Sequence, residues 1–142
     1  MFTHKETKIL AFAPEKLFAL VSDVARYPDF LPWVAHARVY NVEESSFLAD
    51  LTMGHHWFSD TYTSHVTFKA YKWVHAQHVK GPFKHLTTDW IFKEALGGGT
   101  CVDFSITFEL QSLVFQTLLE SFFAHACQEI LTAFEERARV LS

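Results

Sequence analysis

Three observations predict an α+β fold for this chain of 142 residues. A period of two runs from residue 36 to residue 111, a proline opens a short helix near the start, and the stretch Leu113 to Leu141 contains neither proline nor glycine. Alternating apolar and polar residues mark half-buried strands, whereas a long run with three-to-four-residue apolar spacing marks an amphipathic helix. An apolar sheet face and one long helix must then cover each other.

In chain order, His4 to Phe12 reads as the first strand. Pro14 opens a helix with Glu15 in its first turn, and Leu17, Phe18, Val21 and Val24 give it an apolar face. The segment Tyr27-Pro28-Asp29-Phe30-Leu31-Pro32-Trp33 ends that helix. Each proline fixes φ near about −65° and pushes the preceding residue toward extended geometry, so this is a rigid apolar corner. Strands are expected near 36–43, 46–53, 57–70, 73–80, 85–94 and 100–111, joined by short turns at Glu43-Glu44-Ser45-Ser46, Gly54-His55-His56, Gly81-Pro82 and Gly97-Gly98-Gly99. Connections this short make an antiparallel meander.

Alternation puts Val102, Phe104, Ile106, Phe108 and Leu110 on one face, and Leu86, Thr88, Trp90 and Phe92 on one face of the strand before. In the last helix, Ser112 is a suitable N-cap. Phe115, Leu118, Leu119, Phe122, Phe123, Ala126, Ile130, Ala133 and Phe134 form a broad apolar stripe, and Glu135 and Arg139 belong to a solvated end.

The length suits one domain over residues 1–142. Hydrophobic residues make up 49% and aromatics 16%, with fifteen phenylalanines, which allows either an internal lipophilic cavity or a phenylalanine-rich solid core. A net charge of −4 with scattered basic residues argues against nucleic acid, and DNA is not an expected partner. Cys101 and Cys127 read as free thiols in a reducing compartment. No run reaches the roughly 18 apolar residues that span a bilayer, and the start shows no leader pattern, so a soluble protein is expected.

The order of elements resembles the helix-grip fold of the START-like superfamily, in which a curved antiparallel sheet wraps around a long C-terminal helix. The likeness extends to local sequence: Val24 to Trp33, Tyr62 to Val66, Gly81-Pro82-Phe83 followed by Leu86 and Trp90-Ile91-Phe92, Val102-Asp103-Phe104, Phe108-Glu109-Leu110, Phe122-Phe123 and Ala133 to Ala138 are similar to the coenzyme Q-binding protein family. That family is often labelled polyketide cyclase/dehydrase-like and includes a bacterial ribosome association toxin. Val34 departs from it, standing where many relatives have cysteine. The resemblance implies non-catalytic binding or chaperoning of ubiquinone, or a similar polyprenyl lipid, in support of respiratory electron transfer. Ubiquinone would be a bound ligand, with no cofactor required. It further implies exchange at a membrane surface, from the bacterial cytoplasm or the matrix side of the mitochondrial inner membrane. The alternative partner is the large ribosomal subunit.

A quinone carrier needs a long apolar slot, an aromatic wall and few polar groups. From resemblance and alternation together, Phe30, Leu31 and Trp33 are expected at the mouth, Trp90, Phe92, Phe104 and Phe108 on the sheet, and Phe122, Phe123 and Ala126 on the helix. Either Tyr62 or Asp60 is expected to be able to hydrogen-bond a carbonyl of the ligand. Asp60 shares the face of Tyr62 and is expected at an edge or bulge, because a buried, unpaired carboxylate is costly. Arg26 and Arg38 read as solvated. A cyclase would need an acid/base pair such as Asp60 with Tyr62, and no catalytic constellation stands out. His55-His56 does not make a metal site, since neighbours in a strand point to opposite faces.

Overall fold

A computed structural model describes residues 1–55 and 58–142, apart from the side chains of His55, Phe58, Leu113, Phe115, Leu118 and Leu119. The expected contributions of Phe115, Leu118 and Leu119 to the helix stripe, and of the His55-His56 pair, therefore lie outside the described residues. The elements run β1 (Phe2–Leu10), α1 (Pro14–Ser22), a 3₁₀ helix (Val24–Asp29), β2 (Val34–Tyr40), β3 (Ser46–His55), β4 (Phe58–Lys69), β5 (Trp73–Lys80), β6 (Phe83–Glu94), β7 (Thr100–Leu110) and α2 (Leu113–Val140).

All seven strands form one antiparallel sheet in the order β1-β7-β6-β5-β4-β3-β2. Five hairpins follow the chain, and β1 joins the far side of β7 with Phe2 opposite Phe108 and Leu10 opposite Thr100. The faces follow the alternation: every even-numbered residue of β7 from Thr100 to Leu110 is buried, as are Leu86, Trp90 and Phe92 of β6. The sheet is curved and carries α2 across its inner face, where Phe123, Ala126, Cys127, Leu131, Phe134 and Ala138 are buried.

Several boundaries differ from the sequence reading: β1 covers Phe2–Leu10 rather than His4–Phe12, β2 covers Val34–Tyr40 rather than 36–43, and β6 begins at Phe83 rather than at 85. The proline corner is partly helical: Val24–Asp29 is a 3₁₀ helix with Pro28 inside it, and the amides of Phe30 and Leu31 both donate to the Tyr27 carbonyl. Pro28 is the fifth of its six residues and has no N–H to donate, so the turn is held on either side of it, by the Arg26 amide to the Asp23 carbonyl and by the two bonds to Tyr27. Val24 thus belongs to this turn rather than to α1, although it is buried as expected. In addition, Gly54 and His55 pair with β4 within β3 instead of forming a turn.

One end of the sheet is shaped by three irregularities. An extra residue interrupts the register at Ala35 in β2, Val79 in β5 and Lys84 in β6. Bulges bend a strand and increase its twist, so this end curls over the inner face. The same end carries Gly54, whose amide donates to the Trp33 carbonyl, and Gln111, whose amide donates to the Pro82 carbonyl just before α2 begins.

Candidate functional site

Between the sheet and α2 lies a cavity with an empty volume of about 1000 Å³, its open part included, of which about 130 Å³ is free to the centre of a water-sized sphere. This free core has room for several waters or a substituted ring. Its wall is almost entirely apolar, and every layer of the fold contributes: Leu31 and Trp33 from the corner, Leu51 and Met53 from β3, Trp90 from β6, Phe104, Ile106 and Phe108 from β7, Phe123, Ala126 and Ile130 from α2.

Eight of the eleven residues expected to bind a ligand line this space: Leu31, Trp33, Tyr62, Trp90, Phe104, Phe108, Phe123 and Ala126. Their rings are mutually supported, with Trp90 4.5 Å from Phe104 and 4.9 Å from Phe134, and Phe108 5.6 Å from Phe123. Phe30, Phe92 and Phe122 stand outside the described lining. Phe30 turns to the outer side of the corner, where its ring meets Phe134 at 5.0 Å and the Arg137 guanidinium lies over it. Phe92 shares the face of Trp90 but sits further along β6, where it packs under α1 against Phe18. Phe122 is half-buried beside Phe123.

The polar groups of the lining are few. Tyr27 and Tyr62 both reach the cavity, and burial above all pushes both phenols upward, so they stay protonated donors. The Tyr27 hydroxyl is already committed to the Val21 carbonyl. The Tyr62 hydroxyl has no hydrogen-bond partner among the described residues. Ser64 donates to the Gln77 carbonyl at 3.4 Å, and Cys127, pushed up to about 12 chiefly by burial, is a neutral thiol. Thr88 also lines the cavity and its hydroxyl has no partner among the described residues, so Tyr62 and Thr88 are the donors in this wall open to a ligand.

Asp60 lies beyond the cavity, exposed at the start of β4, where its carboxylate accepts the Thr61 amide. It does not hydrogen-bond Tyr62 among the described residues. Arg26 and Arg38 are exposed, and Arg38 pairs with Asp50 at 3.0 Å on the outer face. Cys101 and Cys127 are free. Among the described residues no group of His, Cys, Asp and Glu is arranged to hold a metal ion, and no helix is long and apolar enough to cross a membrane.

Sequence reasoning missed Tyr27, Phe83, Cys127 and Phe134 as lining residues. Phe83 and Phe134 were legible as members of the resembling motifs, and Phe134 also as part of the helix stripe. Cys127 follows Ala126 directly, and both face inward because the helix stripe is wide.

Comparison with known proteins agrees with this architecture. Residues 10–135 match the family described as polyketide cyclase / dehydrase and lipid transport. The chain belongs to that family. It is 34% identical to the ribosome association toxin RatA of Rickettsia prowazekii, over 98% of this chain and 97% of that protein. It is 32% identical to the mitochondrial coenzyme Q-binding protein COQ10 homolog B of Xenopus laevis over 95% of this chain, which spans 57% of that protein's length. Among solved structures, a START superfamily protein from Mycobacterium smegmatis superposes with a TM-score of 0.83 over 99% of both chains, at 16% identity, and so shares the START-like fold.

Proposed function

We propose that this protein binds ubiquinone, or a similar polyprenyl quinone, in the cavity between sheet and α2, and that it carries or shelters the lipid without transforming it. The observation that carries the reading is Tyr62: a protonated hydroxyl with no partner among the described residues, set in a mostly apolar, aromatic wall. A quinone ring offers flat apolar faces to Trp90 and Phe104 and a carbonyl to the Tyr62 hydroxyl. The free core suits the ring and the first part of a tail, so a long tail must extend toward the surface. Similarity to a coenzyme Q-binding protein supports the same ligand class. Leu31, Trp33, Phe108, Phe123 and Ala126 would then contact ring or tail.

The absence of a bond between exposed Asp60 and Tyr62, among the described residues, speaks against a cyclase acid/base pair at this site. Lipid extraction from freshly purified protein followed by mass spectrometry tests the reading. A co-purifying quinone supports it; protein that is empty and takes up no added ubiquinone refutes it.

A second reading has its own support, in the near-full-length similarity to a ribosome association toxin. It predicts co-sedimentation with the large ribosomal subunit that weakens as salt rises, and the net charge of −4 weighs against a purely electrostatic contact with RNA.

A further inference from the structure

A narrow recess leads outward from the cavity. It is walled by Met53, Asp60, Tyr62, Pro82, Phe83 and Phe123, four of which also line the cavity, and it reaches the exposed Asp60. The recess contains about 170 Å³ of empty space, yet nowhere does it admit a water-sized sphere. This recess adjoins the cavity and is too narrow for a water molecule.

Pro82 and Phe83 of the β5–β6 hairpin form one of its walls. Both arms carry a bulge, at Val79 and Lys84, and Gly81 adopts φ +142°, which brings its backbone hard against β4. A Cβ on Gly81 would stand 2.6 Å from the Tyr62 Cβ and 3.1 Å from His78 Nε2. The His78 ring stacks on Tyr62 at 6.2 Å and meets Phe83 edge-on at 5.6 Å. Its Nε2 is buried and has no hydrogen-bond partner among the described residues.

We propose that the Gly81–Pro82 turn is a lid on this recess and that proton uptake by His78 releases it, so that an apolar ligand exchanges faster in mild acid. This regulation rests on the ligand-binding reading above. A neutral imidazole tolerates one unbonded buried nitrogen at modest cost, whereas an imidazolium held there without an acceptor does not. Among the described residues, no group around it offers an acceptor. His85 approaches from β6, Tyr62 from β4 is a neutral phenol, Lys80 and Lys84 on the hairpin are exposed cations, Phe123 from α2 is apolar, and Asp60 stands on the outer rim with no bond to His78. Burial first, then His85, holds the imidazole below its ordinary value of 6.5. A histidine lowered in the closed state favours closure above that ordinary value and loses its hold as pH falls below it, by up to about tenfold per pH unit until the closed-state value is reached.

The test uses a decyl-tailed ubiquinone analogue and the intact protein. Its dissociation rate is read by stopped-flow tryptophan fluorescence at about pH 7.5 and 5.5, and amide hydrogen exchange of residues 80–84 is read without ligand, corrected for intrinsic rates. The wild type is expected to release the analogue about fivefold faster or more at the lower pH, with matching loss of protection at the turn. His78→Phe, which keeps a stacking ring but cannot titrate, should abolish both effects; His78→Gln replaces it if the phenylalanine variant does not fold. His85→Gln should retain both at reduced size, because burial remains the larger cause. Retained pH dependence without His78, or a turn equally protected at both pH values in the wild type, overturns the proposal. An analogue that binds at neither pH sinks the ligand-binding reading instead, and amide exchange then decides the lid alone.

Discussion

Tyr62 separates a binding wall from a packed core. A buried hydroxyl bonded to protein stabilises the fold, and deleting it costs about 1 kcal/mol, whereas one without a protein partner has little fold stability to lose. Tyr62→Phe is therefore expected to leave the melting temperature nearly unchanged while weakening quinone binding by about 5- to 10-fold. A large drop in stability with unaltered affinity would assign the hydroxyl to the fold. Asp50 shows the opposite case, a carboxylate with three hydrogen-bond donors on its oxygens among the described residues. Thr63, then Arg38 and Tyr40, hold its carboxyl below the usual range by hydrogen bonding, at 2.7, 3.0 and 2.9 Å. A lowered carboxyl contributes stability above its unfolded value of about 3.9 and loses it as pH falls through the folded value. Asp50→Asn should flatten the acid limb of a stability-versus-pH curve below about pH 4 and leave the neutral region less affected.

At the scale of elements, two contacts hold the site in shape. Phe134 of α2 is 3% exposed and touches Tyr27, Phe30 and Trp90, so it joins helix, corner and sheet. Phe134→Ala is expected to cost about 3–5 kcal/mol in denaturant unfolding, the range for emptying an aromatic site in a core. Gly81 sits in the left-handed region and against the Tyr62 backbone, whose Cα would be 2.9 Å from an added Cβ. Gly81→Ala should therefore destabilise the protein by more than about 1 kcal/mol and lift the hairpin, seen as faster amide exchange at residues 80–84. The sequence showed which strands exist and which faces they bury, since β7 and β6 alternate without a break. It could not show the bulges at Ala35, Val79 and Lys84, because one extra residue is defined only by the partner strand. Phe92 and Trp90 illustrate the same limit: alternation assigns both to the inner face, but how far along β6 the cavity extends depends on where α1 packs. Phe30 is a related case, since the 3₁₀ turn through Pro28 rotates it outward while Leu31 turns in.

For the whole molecule, the sheet and α2 enclose a space that the chain does not fill, and a ligand bound there would add stability through mass action. At a ligand concentration 100 times its Kd the gain is about 2.7 kcal/mol, and for a chain of this size that raises the melting temperature by several degrees. Composition left open whether fifteen phenylalanines fill a solid core or line a cavity, because both bury the same side chains; only their placement around Tyr62 distinguishes the two. Trp33 and Trp90 lie in that wall and report on it directly. The decisive measurement is titration of the purified protein with a short-tailed ubiquinone, followed by intrinsic tryptophan fluorescence beside a free-tryptophan control. A quinone-binding cavity predicts saturable quenching at one ligand per chain that Tyr62→Phe shifts to higher concentration. Quenching that rises linearly with quinone, no stronger than in the control and unchanged in the variant, would contradict it.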